Sequence, residues 1–385
     1  MPYRAEIPYG CYWSTPFARW QGAYANLNSL ELAAEVARKE LDARGISKDA
    51  IDHGVLGFSV PQKHSFYGLP WVAGMAGLGA IGGQTVMQAC ATGARALLAG
   101  AQEIESGLSQ VVLTLACDRT SNGPHLYYPN PRGPGGTGAH EDWVMDNFSC
   151  DPLGPHAMIR TAENVAAKHR IGTQEQHEVV LRREAQYKEA LGGFQKRFFS
   201  TATKLEGDEG IRFSTAEGLA QLKPVLQGGT VTYGGQTHPA DGNAAILLAS
   251  PGKVRELSRD PKIRVRLLGF GQSRAALAQM PEAPIPAAKR ALEQAGLPLA
   301  KMDAIKTHNP FAVNDVLFSR ETGADLAKMN NYGCSLVWGH PQGPTGTRSI
   351  IELIEELALR GGGHGLFTGC AAGDTAMAVV LKVGE

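Results

Sequence analysis

In VMQACATGARALLAG, residues 86–100, a cysteine stands directly before a segment that reads as the start of a helix. Two chemistries fit Cys90. Free cysteine is among the most buried residue types, so the thiol can be a small core side chain. It can also be a nucleophile, because the positive end of a helix and its free N–H groups favour a thiolate. A thiolate is a strong nucleophile near neutral pH. The other cysteines, at 11, 117, 150, 334 and 370, form no CxxC pair and no dense disulfide framework. That usage points to reduced thiols and a cytoplasmic protein.

A nucleophile needs elements that hold it, and the chain supplies them twice. SLELAAEVARKELDARG and IPAAKRALEQAG each carry apolar residues at helical spacing and then a glycine stop. Gly45 to Asp52 and Gly296 to Asp303 are both seven positions. Asp52 lies 40 positions before Thr92 of TGAR, and Asp303 lies 42 before Thr345 of TGTR. Each TGxR opens an apolar-periodic helix. Thr92 to Cys117 and Thr345 to Cys370 are both 25 positions, and each of these cysteines ends a β-rich run. The spacings predict a duplication of strand–helix halves with mostly parallel, helix-covered sheets. AAILLAS ends the first half and KIRVRLLGF opens the second. Between Asp118 and about Gly242 the pattern breaks into loops such as YYPNPRGPGGTG and a helix at TAENVAAKHR. Such an insertion commonly carries binding loops.

With 385 residues, 43% of them hydrophobic, the chain can bury a large core divided over more than one unit. Its 37 basic and 37 acidic residues cancel, so no basic face for nucleic acid or an anionic membrane is expected. MPYRAEIPYGCYW lacks the order of a signal peptide. The longest weakly polar run, GLPWVAGMAGLGAIGG, is 16 residues and too short and glycine-rich for a membrane span.

Together, Cys90, GHPQGPTG at 339–346, TGCAAGD around Cys370 and HNPFA at 308–312 resemble the thiolase family over essentially the whole chain. SNGPH at 121–125, MIRTAEN at 158–164 and GGTVTYGGQTHPADGNAAILL at 228–248 add secondary matches. The resemblance implies a duplicated five-layered α-β-α-β-α fold with a loop domain inserted in the first half. The expected division is 1–119 with 243–258, an inserted CoA-binding domain at 120–242, and 259–385.

The resemblance also implies thiolytic cleavage of a 3-oxoacyl-CoA by coenzyme A, or the reverse Claisen condensation. Cys90 would carry the acyl group and His340 would accept its proton. The imidazole of His340 and a water held by Asn309 would stabilise the first oxyanion. Cys370 would be the acid/base on the α-carbon, because such a carbanion must be protonated as it forms. Backbone N–H groups of Cys90 and Ala372 would form a second oxyanion hole. Coenzyme A enters as a substrate, with no permanently bound cofactor and no metal. Thr237, Met158 and His156 match pantetheine-side positions. Arg212 suits the adenosine phosphates, since a guanidinium fork fits phosphate. A homodimer or a dimer of dimers is implied, as is a small zinc-ribbon/OB-fold partner in some branches.

The chain departs from the family at several points. His308 and Pro310 flank Asn309, where the family has no histidine before and a glutamate after. Ala371 and Ala372 replace glycines after Cys370, and Ala157 stands where a histidine often precedes the methionine of MIRTAEN. The aromatic content of HSFYGLPW and HLYYPNP suggests a bulky or aromatic acyl group and a branch from aromatic-compound degradation. The alternatives are a ketoacyl-synthase-like condensing enzyme and a non-catalytic acyl-CoA-binding subunit. A late cysteine together with GHPQGPTG argues against the first, and the retention of every catalytic position argues against the second. Cys117 reads as core, and Cys11, Cys150 and Cys334 carry no functional signal.

Overall fold

The structure, a computed structural model, describes residues 3–384. Its first sheet runs in the order Tyr12–Ser14, Ala240–Ala249, Val111–Arg119, His53–Gly57 and Gly82–Val86. The second runs Val265–Arg274, Thr375–Val383, Gly363–Ala371 and Ala304–His308. The two orders superimpose. In each half the strand that ends in a cysteine pairs in parallel with an earlier strand and antiparallel with a later one. Even the edge strand Gly82–Val86 has a counterpart, a single parallel bridge between Ile305 and Met329. The duplication expected from spacing is therefore present in the topology.

The sheets are mixed, however, where alternation predicts mostly parallel ones. In the second half, Ala371 and Thr375 are joined by a tight turn, and a chain that reverses in a short turn can pair only antiparallel. Part of the expected loop region also pairs, as the hairpin His125–Tyr128 with Ala139–Asp142.

Strand alternation divides the apolar residues among five layers. Ile246 and Leu248 face the helices Thr92–Ser106 and Pro344–Leu359, which lie between the two sheets with Leu97, Ile104, Ile350 and Ile354. Ala245 and Leu247 face the opposite way, onto the helices Ser29–Ala43 and Leu69–Ala76. Ala378 and Val380 of the second sheet pack on the helix Pro284–Ala295. Each fully buried Leu or Ile contributes about 1.5–3 kcal/mol. Both glycine stops work as the sequence indicates. Gly45 and Gly296 adopt left-handed φ of 67° and 66°, where a side chain is strained.

The two TGxR helices meet at their amino ends. A Cβ on Gly93 would lie 2.6 Å from the Gly343 carbonyl oxygen and 2.8 Å from the Thr347 nitrogen. Both are backbone atoms that cannot rotate away. Gly93→Ala is therefore expected to destabilise the protein by about 3 kcal/mol, the upper range for overpacking. Thermal unfolding of the two proteins measures this; an unchanged midpoint would refute the contact.

The insertion is pinned to the same central pair. Arg348 of TGTR is fully buried and grips Asp208 through two bonds of 2.6 and 2.8 Å, while Glu352 takes its Nε at 3.0 Å. Trp338 and Phe17 cover the guanidinium. Among the described residues no helix is long and apolar enough to cross a membrane.

Candidate active site

Cys90 sits in a single tight turn, Ala89–Ala91, immediately before the helix Thr92–Ser106. The Thr92 hydroxyl builds that turn, accepting from Gln88 N at 2.8 Å and donating to the Ala89 carbonyl at 2.7 Å. Ala89 takes φ of 42°, a conformation costly for a residue with a Cβ. The turn leaves the thiol half-buried at the floor of a cavity of about 1,020 Å³.

From the other half of the molecule, His340 and Gln342 of GHPQGPTG reach the same point. The thiol donates to Gln342 Oε1 at 3.2 Å. The backbone N–H groups of Ala372 and of Cys90 itself are directed at the sulfur. His340 Nδ1 pairs with Thr345 Oγ1 at 2.6 Å, and its main chain is held by the His238 carbonyl at 2.9 Å. Cys370 is fully buried, close enough to Cys90 for a charge on one thiol to oppose a charge on the other. Asn314 Nδ2 donates to Cys370 Sγ at 3.4 Å.

The expected place of Asn309 is occupied by its neighbour. Asn309 is fully buried with its amide engaged on every side. Nδ2 donates to Asp315 at 2.7 Å and to Cys334 Sγ at 3.2 Å, and Oδ1 accepts from Ser335 Oγ and Leu336 N. It holds no position on the cavity. His308 instead stacks on His340 with ring centroids 4.1 Å apart. Cys90 Sγ and one ring nitrogen of each histidine all lie within 4.8 Å of one another.

Ser335 Oγ lies between His308 Nδ1 at 2.8 Å and Asn309 Oδ1 at 3.1 Å. With its proton on Asn309 Oδ1 it accepts from His308 Nδ1–H, which leaves the Nε2 of neutral His308 as a lone pair. Both His308 Nε2 and His340 Nε2 are buried without a protein partner. Thr345 can donate or accept, so His340 is free to present Nε2–H.

Burial governs the electrostatics. It pushes the Cys90 thiol up to about 12, even though the two backbone N–H groups pull it down. The lowering expected from a helix end is thus outweighed by desolvation, and the resting nucleophile is a neutral thiol. Burial holds His340 down to about 3, with His238 adding to the effect, and pushes His308 well below its ordinary value. Both imidazoles are neutral near pH 7 and able to take a proton. Unfolded histidines protonate near about pH 6.5, so the stability His340 contributes is complete above that pH and is lost as pH falls toward its folded value. The wild-type melting temperature should therefore fall more steeply between pH 7 and 4 than that of His340→Asn; parallel curves would contradict a neutral buried imidazole.

Asp118 ties the two halves together beneath this cluster. It accepts from Ser59 N and Val60 N at 2.8 and 2.7 Å, from Ser59 Oγ at 2.9 Å, and from Gly343 N at 2.8 Å. Burial lifts its carboxyl to about 7 despite those donors. Asp118→Ala leaves the Gly343 N–H unpaired and releases the loop that carries His340. A displacement of about 1 Å at reacting groups costs about 10²-fold, so kcat should fall by about that factor with Cys90 still in place. An unaltered kcat would remove the positioning role.

Met158, Thr237 and Arg212 line the cavity, and so does Arg19, a second guanidinium that sequence reading passed over. Thr237 spends its hydroxyl on the Ser335 carbonyl. His156 is not on the cavity wall; Ala157 and Met158 are, because the helix Met158–His169 begins just after it. Among the aromatic stretches, Phe66 and Tyr67 are 94% and 68% exposed, and no residue of HSFYGLPW or HLYYPNP lines the cavity. Trp20, Trp143, Phe148, Tyr233 and Phe311 do. The original ground for an aryl group therefore falls away.

Two thiols, two imidazoles and directed N–H groups, gathered between the halves of a duplicated α-β-α-β-α fold, define an acyl-transfer enzyme of the thiolase class. The chain belongs to the thiolase family: residues 13–252 match the thiolase N-terminal domain and residues 261–383 the thiolase C-terminal domain. It is 29% identical to an acetyl-CoA acetyltransferase of Pseudomonas aeruginosa, over 95% of this chain and 96% of the relative. It is also 29% identical to human mitochondrial 3-ketoacyl-CoA thiolase, over 96% of each. The crystal structure of that human enzyme in complex with CoA aligns at a TM-score of 0.91, with 27% identity and 99% of each chain covered. A Bacillus anthracis acetyl-CoA acetyltransferase aligns at 0.91, also with 27% identity and 99% coverage of each chain.

Proposed function

We propose that this chain cleaves a 3-oxoacyl-CoA with coenzyme A, or runs the reverse condensation, through an acyl group on Cys90. The observation that carries the reading is the cluster of the Cys90 thiol with a ring nitrogen of each of His308 and His340, with Cys90 and His340 on the wall of a cavity of about 1,020 Å³. Cys90 Sγ attacks the C3 carbonyl while its proton passes to His308 Nε2, the lone pair left when Ser335 accepts from Nδ1–H. His340 Nε2–H then steadies the oxyanion, so the role first assigned to His340 alone is shared by a stacked pair. Thiolate and imidazolium formed together stabilise each other at low dielectric, which offsets the burial cost of each. The C2–C3 bond breaks, C2 takes a proton from Cys370, and acetyl-CoA leaves. The thiol of a second CoA gives its proton to Cys370 and attacks the Cys90 thioester. Cys90 recovers its proton from His308 as the shortened acyl-CoA departs.

Residues 120–242 serve as the CoA-binding insertion, since Met158, Arg212 and Thr237 all come from it. The apolar wall of Trp20, Trp143, Phe148 and Phe311 supports a bulky apolar acyl group rather than a specifically aromatic one. Two copies pair through the exposed edge strand Gly82–Val86. Its outer side meets no strand, and the Phe66–Tyr67 turn lies against it through Leu69 N to Thr85 Oγ1 at 3.2 Å. An open edge of this kind favours pairing with another chain.

The test is turnover of a panel of 3-oxoacyl-CoAs with free CoA, with products identified by mass spectrometry. Acetyl-CoA and the acyl-CoA two carbons shorter are expected, fastest for bulky chains. Decarboxylation or hydrolysis alone would favour the ketoacyl-synthase-like alternative, and no product would favour a binding subunit.

A further inference from the structure

The geometry points to a second use of the same cluster: Cys90 Sγ and the Nε2 atoms of His308 and His340 form a capture site for a thiophilic divalent cation such as Zn²⁺, whose occupation reversibly closes the enzyme. One sulfur and two imidazoles make a soft, mixed donor set that suits tetrahedral Zn²⁺. Cys90 Sγ and one ring nitrogen of each histidine lie within 4.8 Å of one another, and Nε2 is the ring nitrogen that both histidines leave without a partner. Zn–S of about 2.3 Å and Zn–N of about 2.0 Å place donors about 3.5 Å apart. To reach that spacing the Cys90 side chain and the rings close on the ion.

Independent of spacing, both histidines are more than nine-tenths buried, and both Nε2 atoms lack a hydrogen-bond partner. A buried polar atom without a partner is rare, and here two belong to the histidines that each bring a ring nitrogen within 4.8 Å of one sulfur. Ser335 can accept from His308 Nδ1–H and Thr345 from His340 Nδ1–H, which leaves both Nε2 atoms as lone pairs. Oriented imidazoles of this kind are what metal ligands ordinarily need from their surroundings. Cys90 and His340 both line the cavity, from which water can supply a fourth ligand. Binding forms one Zn–S and two Zn–N bonds, releases the thiol proton to solvent, and involves no redox change.

The binding stands on the geometry alone; its effect on turnover rests on the thiolase reading. Occupation removes the nucleophile and both proton-handling nitrogens at once, so substrate and cation exclude each other.

Co²⁺ is the probe, added to the full-length, chelator-washed protein and read by absorbance. One equivalent should give a thiolate-to-Co²⁺ charge-transfer band with tetrahedral visible bands, and Zn²⁺ should displace it. Cys90→Ser should abolish the charge-transfer band, and blocking Cys90 by alkylation of the wild type should do the same without a substitution. His308→Ala and His340→Ala should each weaken binding at least tenfold, whereas Cys150→Ser, at an exposed cysteine, should leave it unchanged. A band that survives loss of Cys90, or no band at all, overturns the site. Cys90-dependent binding that leaves 3-oxoacyl-CoA turnover intact overturns the closure. Cys90-dependent binding in a protein that turns over no 3-oxoacyl-CoA keeps the site and rejects the thiolase reading.

Discussion

Cys90→Ala is expected to lower thiolysis by about 10⁴-fold or more, the scale on which an enzyme loses rate when its nucleophile is removed. The fold should survive. Cys90 is half-buried at the cavity floor, and its side chain makes a single side-chain bond, to Gln342. Removing it creates little new void, so the melting temperature should change by no more than a few degrees. Gln342 loses a partner but faces the cavity, where water can replace the thiol. The rate and the melting temperature of one preparation therefore separate chemistry from stability. Residual turnover within tenfold of wild type would mean that another group carries the acyl chain.

Cys370→Ala should cost about 10²–10⁴-fold, the usual worth of a positioned acid or base, but only in steps that make or break the C2–C3 bond. Burial and the neighbouring Cys90 push the Cys370 thiol well above its ordinary value, so it rests protonated and ready to give its proton to a carbanion. Acylation of Cys90 by a simple acyl-CoA needs no such proton and should continue. The Cys90 variant loses both reactions, and the Cys370 variant loses one. Equal loss of both reactions in Cys370→Ala would make Cys370 a packing residue held by Asn314.

The duplication was legible because its marks are backbone requirements. Gly45 and Gly296 stop equivalent helices in left-handed turns, and Gly93 lets two helix ends meet at backbone distance. Those constraints act on residue identity at fixed spacing, and spacing survives in a sequence. Strand direction leaves no such mark, which is why the mixed sheets read as parallel.

The displacement of Asn309 by His308 was recoverable in principle. Side chains alternate along the strand Ala304–His308 and just beyond it, so Thr307 and Asn309 point one way and His308 the other. Thr307 and Asn309 both bond Asp315, on the face away from the cavity. A one-residue slip in the motif exchanged the two faces. His156 misses the cavity wall because it lies two positions before the start of the helix at Met158. The state of Cys90 was beyond reach, because the helix end is visible in the sequence while the desolvation that outweighs it belongs to the assembled site. Asp118 was hidden for a related reason: its partners come from loops 59 and 225 positions away.

The central claim is that the acyl group rides on Cys90. The direct measurement is peptide mass mapping of the wild-type protein, quenched after brief mixing with an acyl-CoA in the absence of free CoA. A thioester adduct on the peptide containing Cys90, discharged when CoA is added, is the predicted result. No adduct, or an adduct that maps to Cys370 or the exposed Cys150 and persists when CoA is supplied, would contradict it.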